Sequence, residues 1–303
     1  MYREETGKVS AESGEFHGLM RTNPIGSVCS CLVALWFAIA SQAAETGVMV
    51  SAAEKDEHGF LVHVVKSEFQ AGETQIRVLA PDKLEVGRTY PAVYVLPVEA
   101  GLEHRYGDGL AEILQQDLHN KHQAIFVAAI FSRLPWYADH PTDPAIRQES
   151  YFLEVVVPFV DKNYPVVDRS EGRYLLGFSK SGWGAWSLLL RRPEMFSKAA
   201  AWDAPLLMDR LGLYGTTPIF ATQERFDEYR IDRSLPEAAD KLRDRPRLIL
   251  TGYGNFREHH QQAHRLLLDL KIPHEYRDGP QRKHDWHSGW VEEAVELLLG
   301  HAQ

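Results

Sequence analysis

Hydrophobic positions along this chain follow two rhythms. Phe60 to Val65 and Thr74 to Leu79 alternate apolar with polar residues on either side of Gln70-Ala71-Gly72, which predicts half-buried antiparallel strands joined by a turn. Ala92 to Leu96 is instead a short continuous apolar run, the signature of a strand covered on both faces. From there the spacing predicts a helix over 109–119, a strand over 124–130, a helix over 147–163 and a strand over 173–177. The series continues with a helix over 181–191, a strand over 198–202, a helix over 235–242, a strand over 247–251, a helix over 256–270, a strand over 274–277 and a helix over 288–299. Strands alternating with helices of this length mean parallel βαβ units. The expected architecture is therefore a mixed, mostly parallel α/β sheet with helices on both faces. No repeat, low-complexity tract or linker divides residues 44–303, which predicts a single domain.

The first 43 residues read differently. Cys31 to Ala40 is an unbroken apolar run preceded by Arg21 and followed by Ser41-Gln42-Ala43, the charged start, apolar centre and small-x-small end of a secretory signal. The apolar stretch is shorter than the ~20 residues a bilayer core requires. Cleavage after Ala43, export to the periplasm or outside, and no lasting membrane insertion are the expectations. Both cysteines of the chain, Cys29 and Cys31, fall in this segment, so the exported part would have neither disulfide nor thiol nucleophile.

Charge narrows the picture further. Across 303 residues, 33 basic against 42 acidic side chains give a net charge of −9 without basic runs, which argues against a nucleic-acid partner. Hydrophobic content of 44% and charged content of 25% are those of an ordinary globular protein.

In a sheet of this kind chemistry collects at the carboxyl ends of the strands. There the run Arg173-Tyr174-Leu175-Leu176 enters Gly177-Phe178-Ser179-Lys180-Ser181-Gly182-Trp183-Gly184-Ala185, with a helix predicted at once. Strand, Gly-flanked turn, serine and helix form a nucleophile elbow, which would present Ser179 at a helix N-terminus that favours negative charge. Ser181 occupies the position of the usual last glycine.

Four stretches carry a resemblance: Tyr90-Pro91-Ala92-Val93-Tyr94-Val95-Leu96, Phe152 to Pro158 before Asn163-Tyr164, the elbow GFSKSGWGA, and His284-Asp285-Trp286. In order and spacing, over residues 60–300, they resemble the esterase-D-like branch of the α/β-hydrolases, which includes feruloyl and acetylxylan esterases. The resemblance implies an α/β-hydrolase fold and a serine esterase needing neither cofactor nor metal. It also implies that the base is His284, in the His-(Asp/Thr)-Trp segment after the last strand, with His287 as its rival. The family's orienting aspartate follows the next-to-last strand, where this chain has Gly252-Tyr253-Gly254-Asn255-Phe256.

Asparagine in the acid's place leaves three candidates. Asp203, at the carboxyl end of the preceding predicted strand and flanked by apolar residues, is the first. Glu258 and Asn255 are the others. For the oxyanion hole, one N–H comes from Lys180, after the nucleophile. The other would come from Glu99, the counterpart in Pro97-Val98-Glu99-Ala100-Gly101 of the family's His-Gly or Asp-Gly, with Val98 the near alternative. The Lys180 side chain could pair with Glu99 or steady a substrate carboxylate.

Residues 132–144 form a long loop in which Trp136 and Tyr137 are candidates for a stacking wall against a sugar or aromatic acyl group. His260 and His264 have helical spacing, but no third metal ligand is suggested. The reading is an exported serine carboxylic-ester hydrolase working through an acyl-enzyme on a small-molecule or carbohydrate ester. The alternatives are an inactive hydrolase fold serving as a binding module, and an acyltransferase.

Overall fold

Burial at every position of Ala92–Val95, Ile125–Ala129 and most of Arg173–Phe178 makes these segments the centre of the sheet. A computed structural model describes residues 47–300. The proposed signal segment lies outside the described residues. In chain order the strands are β1 (Met49–Val50), β2 (Glu54–Lys55), β3 (Leu61–Lys66), β4 (Glu73–Leu79) and β5 (Ala92–Val95). Then come α1 (Gly109–Gln115), α2 (Leu118–Lys121), β6 (Ile125–Ala129), α3 (Gln148–Ser150) and, after a π-helical stretch at Tyr151–Val156, α4 (Val157–Asn163). The second half holds β7 (Arg173–Phe178), α5 (Ser179–Arg191), β8 (Lys198–Trp202), α6 (Thr217–Phe220), α7 (Gln223–Asp227) and α8 (Ile231–Ala238). It ends with β9 (Leu248–Tyr253), α9 (Arg257–Asp269), β10 (His274–Gln281) and α10 (Val291–Leu299).

The strands form one sheet in the order β1-β3-β4-β6-β5-β7-β8-β9-β10, with β2 beside β3. β1 to β4 pair antiparallel and β4 meets β6 antiparallel, whereas all pairs from β6 to β10 are parallel. This is the expected mixed sheet, and the crossover helices cover both faces. On β8, Ala199 and Ala201 point to one face and share a core with Trp186 and Leu189 of α5 and Leu235 of α8. Ala200 and Trp202 point to the other and share a second core with Ile113 of α1 and Val291, Ala294 and Leu298 of α10.

Some details differ from the expectations. The helix over 109–119 breaks at Asp117, whose φ of 57° is left-handed, and restarts as α2. The last helix begins at Val291, because Gly289 at φ 85° turns the chain just before it. The short elements β1, β2, α6 and α7 carry too few residues to show a period, and the sequence reading contains none of them.

The elbow is held by crowding. A Cβ on Gly177 would lie 2.2 Å from the carbonyl oxygen of Ser181, so only glycine lets β7 meet α5 this closely. Ser181 in place of the usual glycine closes the turn. Phe178 N–H donates to its Oγ at 3.0 Å, and its hydroxyl donates to the Phe178 carbonyl at 3.0 Å. Replacing Gly177 by alanine is therefore expected to cost about 3 kcal/mol through overpacking, seen as a lower urea midpoint at unchanged slope.

Candidate active site

Ser179 is the first residue of α5 and has φ 53°, a left-handed conformation that a side-chain-bearing residue adopts at a cost. That turn holds Ser179 Oγ 3.0 Å from Nε2 of His284, which lies in the segment after β10. The other ring nitrogen, Nδ1, lies 2.5 Å from Oδ2 of Asp203. The sequence candidates Ser179, His284 and Asp203 are thus brought into one hydrogen-bonded line.

Asp203 follows β8 directly, has φ 41° and is fully buried. A buried carboxylate needs partners, and this one has them. Asn255 N–H donates to both its oxygens at 2.7 and 2.8 Å, and Phe256 N–H donates at 2.6 Å. Burial would raise its pKa, but the bonds from His284 and from the amides of Phe256, Gly254 and Asn255 outweigh that and hold it below the usual carboxylate value. A Cβ on Gly254 would stand 2.6 Å from Asp203 Oδ2, so this approach also requires glycine. The loop after β9 therefore supplies backbone donors where the family pattern has its acid. The Asn255 side chain is not the orienting group, and Glu258 accepts from Gln262 at 3.1 Å on an exposed turn.

Rings enclose the imidazole. Phe178, Tyr106, Phe256 and Trp202 lie 4.8, 5.5, 5.8 and 6.5 Å from the His284 ring centre. Behind Phe178 and Trp202, the Trp286 and Trp290 rings complete the packing. The rival His287 is engaged elsewhere, with Nδ1 2.5 Å from Glu112 Oε2.

Lys180 is the second residue of α5, so its N–H has no intrahelical partner and is free to face an oxyanion. The loop of Glu99 is pinned on both sides. Tyr137 hydroxyl donates to the Pro97 carbonyl at 2.8 Å, and Gly101 N–H donates to the Phe131 carbonyl at 2.8 Å. The Glu99 side chain turns back to accept Tyr106 N–H at 3.2 Å. Among the described residues, the Glu99 N–H makes no hydrogen bond.

Trp136 and Tyr137 require a correction: both are 0% exposed and form no wall for a substrate. Their N–H groups both donate to Oε1 of Gln148, at 2.8 and 3.0 Å, which folds the loop inward. Trp136 then packs edge-on against Trp183 at 5.4 Å, and Tyr137 fills the space that Gly184 leaves open. The lean towards carbohydrate esters drawn from this loop loses its support. The loop aromatic residues against His284 are instead Tyr106 and Phe256, and Tyr214, 50% exposed, lies edge-on to Phe256 at 5.5 Å. Their positions in loops gave no periodic signal. The helical pair His260 and His264 also separates. His264 Nδ1 meets His274 Nε2 at 2.7 Å, while His260 turns inward and its Nε2 accepts Ala204 N–H at 2.8 Å.

A family model described as "Putative esterase" matches residues 67–263. Among solved structures, a ferulic acid esterase matches with 17% identity over 83% of this chain and 96% of its own, at a TM-score of 0.61. An S-formylglutathione hydrolase from Staphylococcus aureus matches with 17% identity over 80% and 98% of the two chains, at a TM-score of 0.64. A fluorophosphonate-binding serine hydrolase of the same organism gives 16% identity over 82% and 100%, at a TM-score of 0.63. These likenesses make the fold an α/β-hydrolase fold. No curated protein matches the chain.

His260 supplies a pH test. Burial pushes its pKa down from 6.5 to about 4, with Asp203 pulling upward more weakly. The unfolded chain takes up this proton near pH 6.5 and the folded chain only near pH 4, so stability is complete above the window and falls as the pH drops through it. The full loss is about 3 kcal/mol. His260→Asn keeps an acceptor for Ala204 N–H without titrating. Chemical unfolding between pH 7 and 4 is expected to show a slope shallower by about one proton in that variant, and an equal slope would mean the ring is not held neutral.

Proposed function

The chain belongs to this esterase family, and we propose that it hydrolyses carboxylic esters through an acyl-enzyme on Ser179. The observation that carries this reading is the unbroken line from Ser179 Oγ through His284 to Asp203, with hydrogen bonds of 3.0 and 2.5 Å. His284 Nε2 takes the Ser179 proton as Oγ bonds to the ester carbonyl carbon. The Asp203 carboxylate accepts a hydrogen bond from Nδ1–H and so fixes the tautomer that leaves Nε2 free as base. Charge collecting on the carbonyl oxygen is met by the N–H groups of Lys180 and Glu99. Collapse of the tetrahedral intermediate breaks the bond to the alcohol, which leaves with the proton now on Nε2. Water repeats the sequence, giving its proton to His284, and the acid departs as Ser179 Oγ is reprotonated.

The inactive-module alternative rested on Asn255, on the missing His-Gly and on Ser181. Asp203 in its cradle of amides, the pinned Glu99 loop and the closing bonds of Ser181 each supply what those departures remove. Export is part of the same proposal. Residues 1–43 act as a signal cleaved after Ala43, and the enzyme works in the periplasm or outside the cell.

Three results are expected. A fluorophosphonate labels residues 44–303 once, and peptide mapping places the adduct on Ser179; a folded protein that takes no label sinks the reading. With 4-nitrophenyl acetate, Asp203→Asn lowers kcat by about 10³- to 10⁴-fold through the wrong imidazole tautomer, at a near-native circular dichroism spectrum. Asn255→Ala changes kcat by less than about threefold, since only its backbone reaches Asp203 and surface side-chain changes have small effects.

A further inference from the structure

The mechanism uses the backbone of Lys180 and Glu99 and leaves their side chains unexplained. Lys180 directly follows the nucleophile, yet it is only 8% exposed. It sits in the first turn of α5, where the helix already presents partial positive charge, so an ammonium there is disfavoured on both counts. Among the described residues no carboxylate comes within 4.0 Å of it. The acid whose field reaches it, Glu99, is already committed to Tyr106 N–H at 3.2 Å and to Arg105 Nε at 3.5 Å. Burial lowers the ammonium's pKa, Glu99 partly restores it and Arg105 lowers it again. Two cations therefore share one carboxylate around the Ser179–His284 pair, in a chain whose net charge is −9. Arg105 lies over the Tyr106 ring at 4.6 Å, and Tyr106 in turn packs edge-on to His284. Arg105 and Tyr106 also line an open cleft of about 1120 Å³ beside this ring.

We propose that Lys180, assisted by Arg105, receives a carboxylate carried by the substrate, so that the preferred substrates are anionic esters. The proposal rests on the esterase reading and names its substrate class. An incoming carboxylate supplies the counter-charge that the site lacks, and it does so only when substrate is bound, where such an interaction contributes to selection between substrates.

The test compares matched pairs that differ only in charge. Monomethyl succinate against methyl levulinate places the carboxylate on the acyl part. 4-Acetoxybenzoate against 4-acetoxybenzamide places it on the alcohol part. In at least one pair the anionic ester is expected to show a kcat/KM at least tenfold higher, and Lys180→Met is expected to reduce that ratio at least fivefold. Arg105→Gln should reduce it less. Neutral esters preferred in both pairs, or a Lys180→Met variant that lowers both members of a pair equally, would overturn the proposal. Calorimetry with 4-acetamidobenzoate and 4-acetamidobenzamide separates this from failure of the esterase reading. Tighter binding of the anion that disappears in Lys180→Met supports the anion site even where no ester is turned over, and equal binding of the two rejects it.

Discussion

The bond network of the Asp203 carboxylate is what the rest of the site depends on. A charge taken wholly out of water must be met by donors that do not move, and here these are one imidazole and the amides at the entrance to α9. The donors come from the loop after β9 and the segment after β10, and the carboxylate itself stands at the end of β8. Joining those three strand ends at one point fixes where His284 sits. Because β8, β9 and β10 are parallel neighbours, their carboxyl ends lie side by side. His260 adds a fourth link by accepting the N–H of Ala204, so the backbone next to the acid is held from within α9.

The nucleophile is positioned by an opposite principle, closeness rather than charge. Gly177 lets β7 and α5 touch, Gly184 admits the Tyr137 ring, and that ring's hydroxyl reaches the Pro97 carbonyl beside the Glu99 amide. One packing column thus runs from beneath the serine to the second proposed oxyanion donor. A residue taken from sequence as a substrate contact serves as a strut under the site.

Much of this was legible in the residues. Period and run length placed the central strands and the larger helices within a few positions, since β5, β6 and β8 have apolar runs that only a doubly covered strand tolerates. The elbow and the histidine were readable because their chemistry demands residues at fixed offsets. Asp203 could be singled out as an acid flanked by apolar residues at a strand end. What escaped was long-range and side-chain-independent: that the amides of Asn255 and Phe256, whatever their side chains, would be the carboxylate's partners. The loop at 132–144 misled for a related reason. Aromatic and proline-rich loops look alike whether they face solvent or fold under, and here the choice was made by Gln148, a residue in the following helix.

The ring packing behind His284 has an optical consequence. Trp202 and Trp290 lie 5.2 Å apart with their planes only 5° from parallel, and Trp202 lies 6.5 Å from the imidazole. Two indoles stacked this closely couple their electronic transitions. The near-ultraviolet dichroism of the unlabelled chain therefore carries a signal from the wall of the site itself, so the packing behind His284 can be followed without a substrate.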